Sequence, residues 1–198
     1  MFIDYISLML INMTAGLAVL VGYILFAAHK DNLKSWAPAF AAPGLVALLT
    51  GLYMTFTWPI PNLSKVTPGL QNLQFANVAY GEMSVLFGIL FLAAAWALAK
   101  EWSLLPVSMC AFLAGAIAIV IGIRIWNLGL TNAPGPTCLG FVLTGLGGVL
   151  AGPFLWLRKS LLVRLIAAAV MIAAAAIWAY TTYEAYWDHL RTFSTAAK

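Results

Sequence analysis

Glu82 lies within "FANVAYGEMSVLFGILFLAAAWALAKEW", a stretch that is otherwise apolar. A carboxylate in a run long enough to cross a membrane is costly unless it is paired or faces a polar cavity, and such groups commonly serve solute or proton pathways. Arg124 is its natural partner by depth. Lys100 closes the Glu82 run about 18 residues on, which at about 1.5 Å per residue sets the acid about 27 Å from that end. Arg124 stands about 20 residues into the next run and reaches nearly the same height. An ion pair between them is predicted. Tyr80 and Asn77 precede Glu82 on its own run, while Tyr53, Thr50 and Thr57 on the second run and Asn12 and Thr14 on the first fall in the matching half. Glu82, Arg124, Tyr80, Tyr53, Asn77 and Asn12 are therefore the candidate polar mouth of an outward-facing cavity.

A second polar group lies near the C-terminus, where Tyr180, Glu184, Trp187, Asp188 and Arg191 share one helix face by their spacing and His189 adjoins them. Glu184, Asp188 and His189 could make a metal site, since one imidazole and two carboxylates are a usable ligand set. The same residue types also form an anchoring belt at a membrane boundary, which needs no ligand. Other chemistries find no residues to carry them. Haem held by paired histidines within a membrane needs imidazoles at helical depth, yet His29 and His189 both sit at run ends. Phosphate-binding Gly-Lys motifs, a Cys-x-x-Cys pair and a Gly-x-Ser-x-Gly elbow are absent from the sequence, so neither an enzyme nor a resident cofactor is expected. Aromatics with one acid and one arginine do remain compatible with quinone, and nucleic acid is not an expected partner.

The elements that must position these groups are read from composition. The chain has 198 residues, 64% hydrophobic and only 8% charged, with a mean hydropathy of +0.97; a soluble domain carries about 25% charged residues. Apolar runs of spanning length occur at about 6–28, 37–57, 77–99, 104–126, 137–157 and 161–183. They predict one all-α polytopic domain of six transmembrane helices, and their continuity argues against an alternating β-barrel. Lys30, Lys34, Lys100, Arg158, Lys159 and Arg164 fall on one side, which by the positive-inside rule puts both termini outside the cytoplasm. The first run lacks a basic leader and is too long for a cleaved signal, so it is expected to stay.

Two connections, 58–74 and 127–137, are longer and rich in Pro, Gly and Asn, as turns over a bundle mouth would be. Pro106 suits the first turn of the fourth helix and Thr137 is the expected N-cap of the fifth. Small residues mark close helix approach in lipid. Gly140, Thr144, Gly148 and Gly152 form one stripe, and Cys110, Ala114, Ala118 and Gly122 another. These stripes are predicted to meet each other or a neighbouring subunit. Cys110 and Cys138 lie at opposite depths, too far apart for a disulfide.

The stretch "NLQFANVAYGEMSVLFGILF" with the preceding "GLYMTFTWPIPN" resembles a family of small archaeal and bacterial six-helix membrane proteins classified as a domain of unknown function. That resemblance implies the cytoplasmic membrane of a prokaryote and assigns no activity. Size, helix count and "LFGILFLAAAW" are also similar to the acid-activated urea and amide channels, although the sixth run lacks their acid. That architecture implies a ring of subunits, each with its own narrow pore. The expectation is thus an oligomeric channel or facilitator for a small neutral or weakly acidic solute. The alternative is a non-catalytic membrane subunit of a larger redox or oxidase complex that contacts quinone.

Overall fold

A computed structural model describes residues 5–30, 33–57 and 75–196. Their regular structure is entirely helical: α1 (Tyr5–Phe26), a 3-10 turn (Lys34–Trp36), α2 (Ala37–Thr57), a π-helical turn (Asn77–Glu82) running into α3 (Met83–Ala99), α4 (Leu105–Leu128), α5 (Pro134–Val149), α6 (Ala151–Leu157) and α7 (Leu161–Ala196). Five of the helical stretches are long and apolar enough to cross a membrane, and the bent pair α5–α6 makes a sixth if counted as one span. The expected connection 58–74 lies outside the described residues.

Two boundaries differ from expectation for identifiable reasons. The fifth apolar run, predicted as one helix, breaks after Val149 and bends by 52°. Pro153 has no N–H for the Val149 carbonyl and its ring crowds that carbonyl, which is where the α-helical ladder stops. That same helix begins at Pro134, so Thr137 is not its N-cap: its hydroxyl donates to the Ala133 carbonyl at 2.9 Å within the first turn. The last helix continues to Ala196, well past the apolar run. Pro106 lies in the first turn of α4 as predicted, and both cysteines are free.

α2 packs on α1 and α3, α4 on α5, and α7 on α1 and α5, so the spans close into a ring; α3 and α4 form its thinnest seam. The connections after α1, α3 and α6 gather at one end, where Lys30, Leu33, Glu101, Trp102, Trp156 and Arg158 line a common hollow. This is called the basic end below. Tyr5, Met9, Met54 and Ala76 cluster at the other.

Glycines set the two tightest seams, because without a side chain the backbones can touch. A Cβ on Gly88 would lie 2.5 Å from the Leu48 nitrogen, joining α3 to α2. Between α4 and α5, a Cβ on Gly145 would lie 2.6 Å from the Gly115 carbonyl, and one on Gly122 3.0 Å from the Cys138 carbonyl. The predicted pairing of the fourth and fifth helices is therefore present, with a correction to the stripe. Gly115 and Gly145, outside both predicted stripes, stand at its centre, whereas Gly140 packs on the Trp178 ring of α7.

Aromatic contacts fill much of the ring's interior. Phe87 stacks on Phe91 at 4.2 Å, Phe91 meets Phe40 at 5.2 Å, and Tyr23 meets Phe40 edge-on at 5.5 Å. Towards the opposite end Tyr80, Phe141 and Trp178 form a second set. Asn12 is buried and donates from Nδ2 to the Pro43 carbonyl at 2.9 Å, tying α1 to α2. Interhelical bonds of this kind are worth about 1 kcal/mol in membranes.

Candidate functional site

Between the spans lies a half-open cavity of about 440 Å³ to which all six contribute walls, among them Leu17, Phe40, Phe87, Ala114, Thr144 and Ala167. Its lining is almost wholly apolar. Volumes of about 300–1,000 Å³ are those of ordinary ligand sites, where a few polar groups fix orientation. Here these are few: Ser108 turns its hydroxyl back to the Leu105 carbonyl at 2.7 Å, and Thr144 accepts from Trp178 Nε1 at 2.9 Å. The Tyr23 hydroxyl differs. It is buried, its charged neighbour among the described residues is Arg158, and since a guanidinium can only donate, the hydroxyl proton has no acceptor.

The ends of this lumen are unlike. At one, Phe141 and Trp178 line it and meet edge-on at 5.2 Å, with Tyr80 packed behind Phe141 at 5.9 Å. At the other, Leu104 and Leu155 line both the lumen and the basic-end hollow, which has a volume of about 300 Å³. Lys30 and Arg158 border this hollow together with Glu101, which pairs with Lys34 at 3.3 Å.

The predicted mouth is not assembled as the sequence suggested. Glu82 and Arg124 are both exposed, and among the described residues no salt bridge joins them. α3, which follows Glu82, and α4, which carries Arg124, meet along the thinnest seam, and both charges are left exposed. Tyr53 is exposed as well, its ring 5.2 Å from that of Tyr5. Asn12 serves the α1–α2 bond. Asn77 is part-buried in the π-helical turn, with its Oδ1 close to Gly81 and without a hydrogen-bond partner. Of the six, only Tyr80 stands near the lumen, as backing for its aromatic end. In the second cluster Tyr180 donates to Glu184 at 2.6 Å, which puts these two on one face, and Glu184 and Asp188 are exposed. The His189 side chain is outside the described residues. No group of three or more potential metal ligands occurs among the described residues.

Over residues 1–192 the chain matches the family described as "Protein of unknown function (DUF981)". It belongs to that family. No curated protein and no solved structure matches it.

The sequence reading missed a polar cluster of this DUF981 protein beside the lumen's basic end. Arg164, at the start of α7, donates from Nη1 to the Leu25 carbonyl at 2.9 Å and to His29 Nδ1 at 2.8 Å. The first bond supplies one of the carbonyls that a helix C-terminus leaves unpaired. Since a guanidinium can only donate, His29 must accept at Nδ1. Burial, then Arg164, then Lys30 lower the His29 pKa below its ordinary 6.5. The unfolded chain therefore takes up this proton first as pH falls. The contribution of His29 to stability is complete above about pH 6.5 and declines below it as the native ring is forced to protonate. Melting in detergent at pH 7.5 and 5.5 should show a modest acid loss that is smaller in His29→Gln. Equal loss in both proteins would remove His29 from the account.

Proposed function

We propose that this is a facilitator for a small, weakly acidic and largely apolar solute, embedded by six spans in the cytoplasmic membrane of a prokaryote with both termini outside. The apolar lumen supports this reading most directly, because it is of ligand size and walled by every span. Its aromatic end would exclude hydrated ions, since a narrow apolar constriction dewets. The route runs through the ring itself, not past Glu82 and Arg124. A single chain would thus hold a complete pathway, and association into an oligomer would serve stability or packing.

The test is uptake by liposomes of a panel of small neutral and weakly acidic solutes, with and without bulk added to the lumen. Ala114 and Ala167 both line it and are only part-buried. The parent should speed at least one solute above protein-free liposomes, and Ala114→Phe with Ala167→Phe should return that rate to background while leaving the melting temperature near the parent's. A panel with no accelerated solute would overturn the facilitator.

A second reading draws on the same lumen, whose apolar walls also suit a quinone ring with its tail. The chain would then be a non-catalytic subunit of a redox complex. Native mass measured after gentle extraction separates the two. Copies of this chain alone favour the facilitator, whereas fixed stoichiometry with haem- or flavin-bearing polypeptides favours the subunit.

A further inference from the structure

We infer that the basic end of the lumen is a carboxylate site and that its ligand is a single-chain alkyl carboxylate, held with its head at Lys30 and Arg158 and its tail in the lumen. The inference rests on the reading of the lumen as a ligand space and adds the chemistry of the head group.

Three independent features converge on it. The first is adjacency: Leu104 and Leu155 line both the apolar lumen and the hollow that Lys30 and Arg158 border, so the two spaces adjoin and an amphiphile lying past these two side chains would reach both. The second is charge. Lys30 and Arg158 border the hollow as cations; Glu101, the acid that lines it among the described residues, is paired at 3.3 Å with Lys34, and Arg164 commits its Nη1 to the Leu25 carbonyl and His29. A guanidinium presents a planar fork that fits a carboxylate with two parallel bonds. The third is the Tyr23 hydroxyl. Tyr23 lines the lumen and is 3% exposed, and its buried hydroxyl lies beside Arg158, which can only donate, so the hydroxyl proton has no acceptor. A buried donor without an acceptor is costly, so a site that supplies an acceptor there recovers a standing penalty. A carboxylate bridging Arg158 and Tyr23 does this, and its alkyl chain then follows the apolar wall past Leu20 and Leu17.

An uncharged molecule of the same length would fill the lumen and leave Lys30 and Arg158 unused. The discriminating pair is therefore dodecanoate and dodecanol, measured by native mass spectrometry or equilibrium dialysis on the purified full chain. Dodecanoate should bind at least about ten-fold more tightly than dodecanol, equivalent to about 1.4 kcal/mol. Arg158→Gln with Lys30→Gln should erase that preference while dodecanol affinity stays unchanged. Arg158→Lys should restore it in part, and Tyr23→Phe should weaken dodecanoate alone. Ala114→Phe with Ala167→Phe should weaken both ligands. Equal binding of acid and alcohol, insensitive to Arg158, would overturn the carboxylate site and leave the lumen intact as a ligand space. Acid binding that depends on Arg158 but ignores the bulky lumen variants would also overturn it, because the tail would then lie elsewhere. Binding of neither ligand by a parent protein that melts cooperatively would overturn the site and the lumen reading together.

Discussion

Replacing Gly115 with valine should abolish the folded bundle. A Cβ at this position would overlap the Gly145 carbonyl and lie 2.8 Å from the Val149 nitrogen, and both obstacles are backbone. Overpacking a core typically costs about 1–3 kcal/mol when side chains can yield. Here neither helix can yield without parting along the whole α4–α5 seam, so the cost should exceed about 3 kcal/mol, a large fraction of the stability of any domain. Gly115→Ala should already lower the melting temperature sharply. Gly135 provides the internal control, because a Cβ there meets nothing within 4 Å. Gly135→Ala should cost far less, about 1 kcal/mol or under, its remaining penalty being the crowding of the new Cβ by the ring of Pro136 that follows. Thermal unfolding in detergent with both variants beside the parent checks the pair. Comparable melting of Gly115→Val and the parent would show that α4 and α5 do not touch as described.

Trp178→Ala carries the second large effect, and it separates stability from permeation. Trp178 is 2% exposed, meets Phe141 edge-on at 5.2 Å, donates to Thr144 at 2.9 Å and covers Gly140. Truncating a buried large aromatic costs about 3–5 kcal/mol. Trp178→Phe keeps most of the ring and gives up the bond to Thr144, so its cost should be nearer about 1 kcal/mol. The lumen ends at Trp178 and Phe141, so the alanine variant also lengthens it toward the opposite end of the ring. In liposomes, the folded fraction of Trp178→Ala should pass solutes faster and with less selectivity than the parent, while Trp178→Phe should remain selective. Unchanged flux per folded molecule in Trp178→Ala would show that this aromatic pair is no barrier.

Much of the scaffold was legible because lipid imposes a simple rule. Backbone groups with no water to bond must be satisfied within helices, so continuous apolar runs locate the spans directly. The starts near Ala37, Asn77, Leu105 and Leu161 follow from this, as does the all-helical character of the described residues. The break after Val149 was also written in the sequence, as Pro153 within an apolar run, but length and apolarity alone hid it. The site was harder to read for a physical reason. Glu82 and Arg124 drew attention because charges are rare in such a chain, yet a rare residue signals cost and not direction. Whether it faces a lumen or the outside depends on the rotation of its helix, which packing decides.

Composition and run length by themselves determined an all-helical chain suited to a membrane, the number and order of its apolar segments, and the gathering of basic residues on one set of connections. Each of these depends on transfer between water and lipid, which a residue carries wherever its neighbours are. Only the tertiary structure decided that the spans close into a ring, that Gly115 and Gly145 bring α4 and α5 into contact, and that Tyr23 faces Arg158 at the end of an apolar lumen. Those facts rest on which faces of different helices meet. Helices almost uniformly apolar around their circumference carry little record of that choice, so it emerges only when backbone contacts at glycines and the stacking of aromatic rings fix each rotation.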